Sequence, residues 1–587
     1  MDPAYLTKKI VDLSEQELID LGFLGENVAP GIKTMVEKVR ADPMRLGYVT
    51  CFTVDHLKRS YSPQAPPEGA VGSPTSPTIS EADILYSQLS NDPDAFTVVA
   101  PDLISKFEMN FWYHGISGDP PQLMWRSNLE TNPFPIPTPG DRFFKVPTKT
   151  AHGVFGTPLK AVWHTVAPQI IASMKDRGLK YSALQTVRFL TVEDGTEENL
   201  GPVVVWIAVR PNTTNAQAVR DATPDILRIL SDAQITDVVV EWLARPPLTS
   251  IENKTGPRFG LNHPFNNGLG ISIARQSDKA PGTIAFLFRE MKTSNGHPSD
   301  RILALTNKHV ASVDTTTHYE LSGELAELDS KSGGKNSTAM RRTQNALDDR
   351  NEDNATPQMF FAEVNTEWLD ADEQDADKRK FGEVDWAPPI SVRVDNHHYT
   401  RDIATLAVDG EKLKNFERNI IDLGNQYSAR ELEDHFWPIA TIREGRTIPS
   451  KLQLPICKAL PRHLVNPDTE DKNGEPLYIV AKYGNTSKLT LGRYSGMEAY
   501  ICTAGGLESR EVVVYNYSKT SGDFSDYGDS GSLIFTGSGD ALAILHSGMP
   551  RGMHNHVTYG TPIWWVIKQI LEKYPFADFY GMAYTLD

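Results

Sequence analysis

Cysteine is almost absent. Cys51, Cys457 and Cys502 are three in 587 residues, far apart and odd in number, which fits neither a disulfide framework nor a paired-cysteine zinc site. A reducing compartment is therefore expected. Basic residues are also in deficit: Lys and Arg total 58 against 75 Asp and Glu, a net charge of −17, which repels phosphate backbones and anionic lipid headgroups. Neither nucleic acid nor a membrane is expected as a partner. Long apolar runs are missing as well. No stretch could span a bilayer, and the start, "MDPAYLTKKIVDLSEQELID", intersperses charges where a signal peptide needs an apolar core. The expected location is cytoplasmic.

The length allows two to four domains at about 150 residues each. Residues 1–60 read as a helical N-terminal region: Ser14 and Glu17 make a capping box ahead of "LIDLGFL", and "PGIKTMVEKVRADP" spaces its apolar residues at helical period. Residues 61–145 are a linker and loop-rich segment, opening on "YSPQAPPEGAVGSPTSPTIS", which can bury little. Between 146 and 250 the order is α, β, β, α, β, from "PLKAVWHTVAPQIIASMKDRG" to "DVVVEW". That order predicts a small sheet with helices on one face, a ferredoxin-like α+β domain. Over 255–587 short β-rich runs such as "RILALT", "IATLAV" and "EVVVYNYS" take over and predict a sandwich or barrel pair. An acidic insertion at about 320–383 interrupts them, and the helix "PIWWVIKQILEKY" closes the chain. The fold class is α+β, multidomain.

One turn in the last region carries chemistry. In "GDSGS", Gly528 can take a backbone conformation that turns its N–H outward, the N–H of Ser530 adds a second donor, and the strand "SLIF" anchors both. By composition alone this is also an ordinary turn. A serine hydroxyl needs a base, and "RILALTNKHVAS" delivers His309 just past an apolar strand. Alone, a histidine at a strand end is more often a satisfied structural side chain. The base must be oriented by a buried acid, and Asp402 stands directly before the apolar run in "YTRDIATLAVDG", whereas Asp409 ends that run as a turn residue does.

Together these motifs resemble the chymotrypsin/trypsin-like serine peptidases. "LTNKHV" is similar to the histidine motif, "RDIATL" to the aspartate motif, and "GDSGS" to the serine motif, with Ser532 where many members have Gly. The resemblance implies a double antiparallel β-barrel over 255–587 with His309, Asp402 and Ser530 as triad and the amides of Gly528 and Ser530 as oxyanion hole. It further places Phe524, Tyr527, Ser547 and Gly548 around the substrate pocket, Ser547 beside the triad acid. "KYGNTSKLTLG" resembles the Gly-Ser/Thr-rich segment of bacterial members. More closely, the chain after about 110 resembles an uncharacterised group of fungal proteins that carry this domain, sharing a "GPVV.W" strand, an "NVIDLG"-like stretch (here "NIIDLG") and "FS..GDSGS".

The expected activity is peptide-bond hydrolysis through an acyl-enzyme, with a polypeptide substrate and no cofactor. Two departures favour an alternative, a catalytically silent protease-fold module that meets protein partners through its N-terminal domains. Phe524 falls on the specificity position, six before the serine, and no activation sequence precedes the domain, so Asp529 lacks the freed N-terminus that secreted members supply. It needs another partner. The pairs His397-His398 and His554-x-His556 lack an obvious third ligand, and no metal is expected.

Overall fold

The computed structural model describes residues 8–25, 28, 30–41, 51, 54, 86, 89, 94–137, 144–193, 198–245, 269–275, 280–320, 359–362, 380–413, 416–441, 443, 445–462, 466–467, 469–549 and 554–586. The chain divides into two compact units, Met1–Thr78 and Ile79–Asp587. In the first, the capping box forms as the sequence predicts. Ser14 N donates to the Glu17 carboxylate at 2.8 Å while Glu17 N donates back to Ser14 Oγ at 3.3 Å, starting the helix Glu15–Asp20. Leu18 and Phe23 then close a small core with Ile32, Val36 and Val39 of the helix Pro30–Ala41. The tract 61–80 and most of the acidic insertion lie outside the described residues.

In the second unit, β1 (Leu123–Arg126), β2 (Thr148–His152), β3 (Tyr181–Val192), β4 (Asn199–Val209) and β5 (Val238–Ala244) build one sheet. Helices α1 (Pro158–Asp176) and α2 (Ala216–Asp232) cover one face. Alternation along β4 makes this possible. Val203, Val205, Ile207 and Val209 pack under the helices, while Val204, Trp206 and Ala208 enter a separate core on the other face with Phe107, Phe111 and Tyr113.

The strands run in the order β1-β5-β4-β3, with β2 on β3. A ferredoxin-like sheet splits its βαβ units, but here the strands joined by each helix are direct neighbours, so that expectation is corrected to a consecutive order. The reason lies in β3. It is long enough to hold β2 over Arg188–Val192 and a strand of the next region over Ala183 and Leu184 on the same edge.

Beyond 255 two β lobes follow. The first contains β6 (Ser272–Arg275), β7 (Pro281–Thr283), β8 (Leu287–Glu290), β9 (Ile302–Thr306), β10 (Met359–Ala362), β11 (Lys380–Ala387) and β12 (Ala404–Val408). They pair as β8-β9-β12-β11-β10-β6-β7, an antiparallel half-barrel. The second contains β13 (Ile479–Gly484), β14 (Lys488–Tyr494), β15 (Ala499–Cys502), β16 (Glu508–Asn516), β17 (Leu533–Thr536), β18 (Asp540–Ser547) and β19 (Val557–Pro562). The circuit β13-β14-β16-β19-β18-β17 returns to β13 and closes a six-stranded antiparallel barrel. This fits the double-barrel expectation. One core of Phe286, Leu305, Ile479, Phe535, Ile544 and the terminal-helix Trp565 binds the lobes together. Among the described residues no helix is long and apolar enough to cross a membrane.

Candidate active site

β9 and β12 run antiparallel with Thr306 opposite Ala404. His309 lies three residues past the end of the first strand and Asp402 two residues before the start of the second, so the register alone brings both to the same end of the half-barrel. A single helical turn, α3 (Lys308–Ala311), carries the histidine. One Asp402 oxygen accepts the His309 backbone N–H at 3.1 Å, and the other stands 2.5 Å from ring Nδ1. Asn307 Nδ2 donates to the Asp402 carbonyl at 2.7 Å and fixes the loop. Burial alone would raise the Asp402 carboxyl, but the His309 ring and amide, aided by His546, hold it below the usual carboxylate range. The carboxylate therefore accepts and Nδ1 donates, which turns Nε2 away from Asp402.

Gly528 and Gly531 bracket the serine with φ of +96° and +90°, values that L side chains rarely adopt. Between them Asp529 N donates to Asp526 O at 3.1 Å and Ser532 N to Asp529 O at 3.0 Å, which tightens the turn before β17. The turn is tied to the half-barrel: Thr283 N donates to Ser530 O at 2.9 Å, and Thr306 Oγ1 to Thr283 O at 2.8 Å. A Cβ on Gly531 would stand 2.1 Å from Thr283 O and 2.5 Å from Thr306 Oγ1. Glycine is what lets the serine turn approach the strand that leads to His309. The Ser530 hydroxyl is buried and makes no hydrogen bond, so the link from hydroxyl to imidazole is open in this structure. The N–H groups of Gly528 and Ser530 have no acceptor among the described residues, leaving both expected oxyanion donors unspent.

Asp529 has found its partner. Lys482 Nζ lies 3.1 Å from its carboxylate, with both side chains fully buried. Thr486 N, Ser487 N and Asp526 N donate to the same carboxylate at 2.8, 3.1 and 3.0 Å, and Ser487 Oγ at 2.5 Å. Burial would raise this carboxyl, but the Lys482 charge and these donors hold it below its ordinary value. An internal lysine thus supplies the charge that pairs with Asp529 in the serine turn. Sequence reading missed Lys482. Its signal was a lone cation inside the otherwise apolar strand "LYIVAKYG", which must be paired to be buried.

The pocket residues fare differently. Phe524 is 1% exposed and packs in the barrel interior with Val512, Val514, Leu542 and Leu545, so its placement on a pocket wall is corrected. Counting back from the serine gives position but not direction: Asn516 Oδ1 takes Phe524 N at 2.8 Å and Thr490 Oγ1 bonds its carbonyl, turning the ring inward. Ser547 is buried with its hydroxyl unbonded, so it does not bond Asp402. Gly548 faces a side chain rather than a void, since Asn555 Nδ2 lies 2.3 Å from where its Cβ would be. Asn555 accepts Met549 N at 2.8 Å and donates to Ser525 Oγ at 2.7 Å, bridging the strand after Ser547 to the stretch before the serine. Tyr527 is half-buried. Of the four, it alone presents a partly open side chain.

A second buried histidine, His546, stands near Asp402. His546 Nε2 is 2.9 Å from Glu511, whose other oxygen accepts the Thr400 hydroxyl. Burial would lower the His546 ring, but Glu511 first and Asp402 next raise it above its ordinary value. The histidine pairs noted in the sequence are dispersed: His397 bonds Asp395 at 3.0 Å, His554 bonds Asp523 at 3.2 Å, and His556 is buried against Trp206. No group of three His, Cys, Asp or Glu among the described residues could hold a metal ion.

No family model and no curated protein matches the chain. Solved structures do. A glutamic acid specific serine protease is 12% identical over 51% of this chain and 96% of its own, with a TM-score of 0.27. Protease A of Thermobifida fusca is 11% identical over 52% and 95%, TM-score 0.24. A Cellulomonas bogoriensis chymotrypsin is 11% identical over 53% and 97%, TM-score 0.25. At TM-scores of 0.24 to 0.27 these likenesses carry no conclusion about this chain, and none of them bears on the fungal group.

Proposed function

We propose that the chain is a serine endopeptidase that acts through an acyl-enzyme at Ser530. One observation carries this reading: the His309–Asp402 pair, 2.5 Å apart, lies at the lobe junction to which the Ser530 turn is tied, and that turn leaves a hydroxyl and two amides uncommitted. In the reaction, His309 Nε2 removes the proton as Ser530 Oγ attacks the scissile carbonyl. The N–H groups of Gly528 and Ser530 hold the oxyanion, and His309 returns the proton to the leaving amine. Water then attacks the acyl group with the same base. The step requires the Ser530 side chain to turn onto the imidazole.

A second reading, a silent protease-fold module, is favoured by the burial of Ser530 and by Asn555 lying against Gly548. A fluorophosphonate probe separates the two. Labelling of the wild type and not of Ser530→Ala supports the enzyme, and cleavage of a peptide library then defines the substrate. Absence of label on a wild type shown to be folded supports the module.

A further inference from the structure

The sheet of β1 to β5 encloses a cavity of about 300 Å³ on the face away from its helices, remote in sequence from the triad residues. Its walls include Trp112, Phe134 and Phe189, with the amides of Asn128, Asn132 and Asn199. Lys149, from β2, is 5% exposed and lines it. Its Nζ lies 3.1 Å from the centre of the Trp112 ring and makes no hydrogen bond or ion pair among the described residues. The wall also carries Glu193 and Glu241, and Arg126 and Glu108 lie close behind it, with Arg126 Nη2 buried and unbonded. Arg126 is closed on Glu108 at 2.7 Å, and Glu241 accepts Trp112 Nε1 at 3.1 Å and Tyr113 OH at 2.8 Å on one oxygen.

An ammonium carries three donors and no acceptor. A ring face attracts its charge but offers no lone pair for an N–H to meet. A buried lysine so placed therefore lacks an anionic acceptor, and the space beside it is large enough for a single ring with a short substituent. One lysine, with Glu193 and Glu241 in the same wall, suits a single negative charge better than a dianion such as phosphate. We propose that this cavity binds a small aromatic carboxylate, its anion taken by Lys149 and its ring lying among Trp112, Phe134 and Phe189.

The test is saturation-transfer NMR on the full chain with benzoate, and with benzamide as the neutral isostere. Burial pushes the Lys149 ammonium down to about 7, so the titration is run near pH 6, roughly one unit below that value, where it is charged beside Glu241, Glu108 and Arg126. Benzoate should bind in the low millimolar range, and benzamide about tenfold more weakly or worse. Lys149→Met, which keeps the volume, should lose benzoate by about the same factor. Phe134→Trp, which fills the cavity without touching the ammonium, should lose both compounds. The proposal is overturned if benzoate gives no transfer at about 10 mM, if benzoate and benzamide bind alike, or if Lys149→Met binds benzoate as the wild type does. Should Lys149→Met fail to fold, as its thermal transition would reveal, the isostere comparison and Phe134→Trp still decide.

Discussion

The Lys482–Asp529 pair offers the sharpest test of how the serine turn is held. Lys482→Met removes the charge and keeps the volume, leaving a carboxylate in a fully buried site with three backbone N–H donors and the Ser487 hydroxyl. Breaking a buried ion pair from one side costs about 3–5 kcal/mol. The four remaining donors still solvate the anion, so the lower part of that range, about 3 kcal/mol, is expected here. With about 2.1 cal/mol/K of unfolding entropy per residue, a unit the size of Ile79–Asp587 loses roughly 3 °C in Tm. The double variant Lys482→Met/Asp529→Asn replaces the stranded anion by a neutral amide and should recover more than half of the loss.

The pH dependence reverses between the two proteins. In the wild type the Asp529 value is depressed in the fold, so its contribution is present above the unfolded value near 3.9 and is lost as pH falls through the folded value. In Lys482→Met the charge that holds the Asp529 value down is gone, so burial should carry the folded value above the unfolded one and protonation should then favour the fold. The deficit of the variant should shrink as pH falls from about 7.5 to about 5. Thermal scans of the three proteins at both pH values read this directly. A Lys482→Met protein as stable as the wild type at neutral pH, or a deficit that grows on acidification, refutes the assignment of Lys482 as the partner of Asp529.

Gly531→Ala should cost more than 3 kcal/mol and lower soluble yield, because its Cβ meets Thr283 O at 2.1 Å in a left-handed conformation. Gly522→Ala, at φ +72° with nothing within 4 Å, should cost only about 1 kcal/mol, and urea denaturation of the pair isolates the clash. Asn555→Ala leaves Met549 N without its acceptor, for a loss of about 2 kcal/mol, yet clears the space beside Gly548 and should speed fluorophosphonate labelling of Ser530; slower labelling of a folded variant contradicts this. The His546 value is raised in the fold, so its pairing with Glu511 stabilises fully below about 6.5 and less as pH rises through the folded value. His546→Gln should therefore lose more stability near pH 6 than near pH 9, and an equal loss at both counts against a charged pair.

What the sequence made legible depended on how local the cause was. The Ser14–Glu17 capping box spans four residues and was readable outright. The pairing of His309 with Asp402 was readable because one follows and the other precedes an apolar run, and a chemical group beside a strand end points to where strands stop. Lys482 was not found because its partner lies far along the chain, in the serine turn: the unmet need of Asp529 was visible, as was the oddity of a lysine in an apolar strand, but nothing local joined them. Phe524 misled for the opposite reason. A count along the chain locates a backbone position, whereas the direction of the ring is set by Asn516 and Thr490 from neighbouring strands. The ferredoxin-like expectation failed on the same ground, since element order says nothing of which edge of β3 a distant strand will take.

That distant pairing changes what the region from 146 to 250 does. β15 pairs with β3 through Tyr500 and Ile501 and with β16 along its whole length, so a single sheet runs from the middle region into the closed barrel. Side chains follow the same path. Tyr559 of β19 donates to Gln185 Oε1 at 2.7 Å and accepts from Arg245 Nη1 at 2.8 Å, while Tyr515 of β16 donates to the Thr186 carbonyl at 2.6 Å. Tyr559 stands opposite Ser547 in the ladder of β18 and β19. β18, which carries Ser547, is therefore braced from behind by buried polar groups of a region that contributes none of His309, Asp402 and Ser530. A brace of this kind needs no ligand to act. It fixes a strand whose displacement would move Gly548 and Asn555 together, which couples the integrity of the middle sheet to whatever the serine turn can admit.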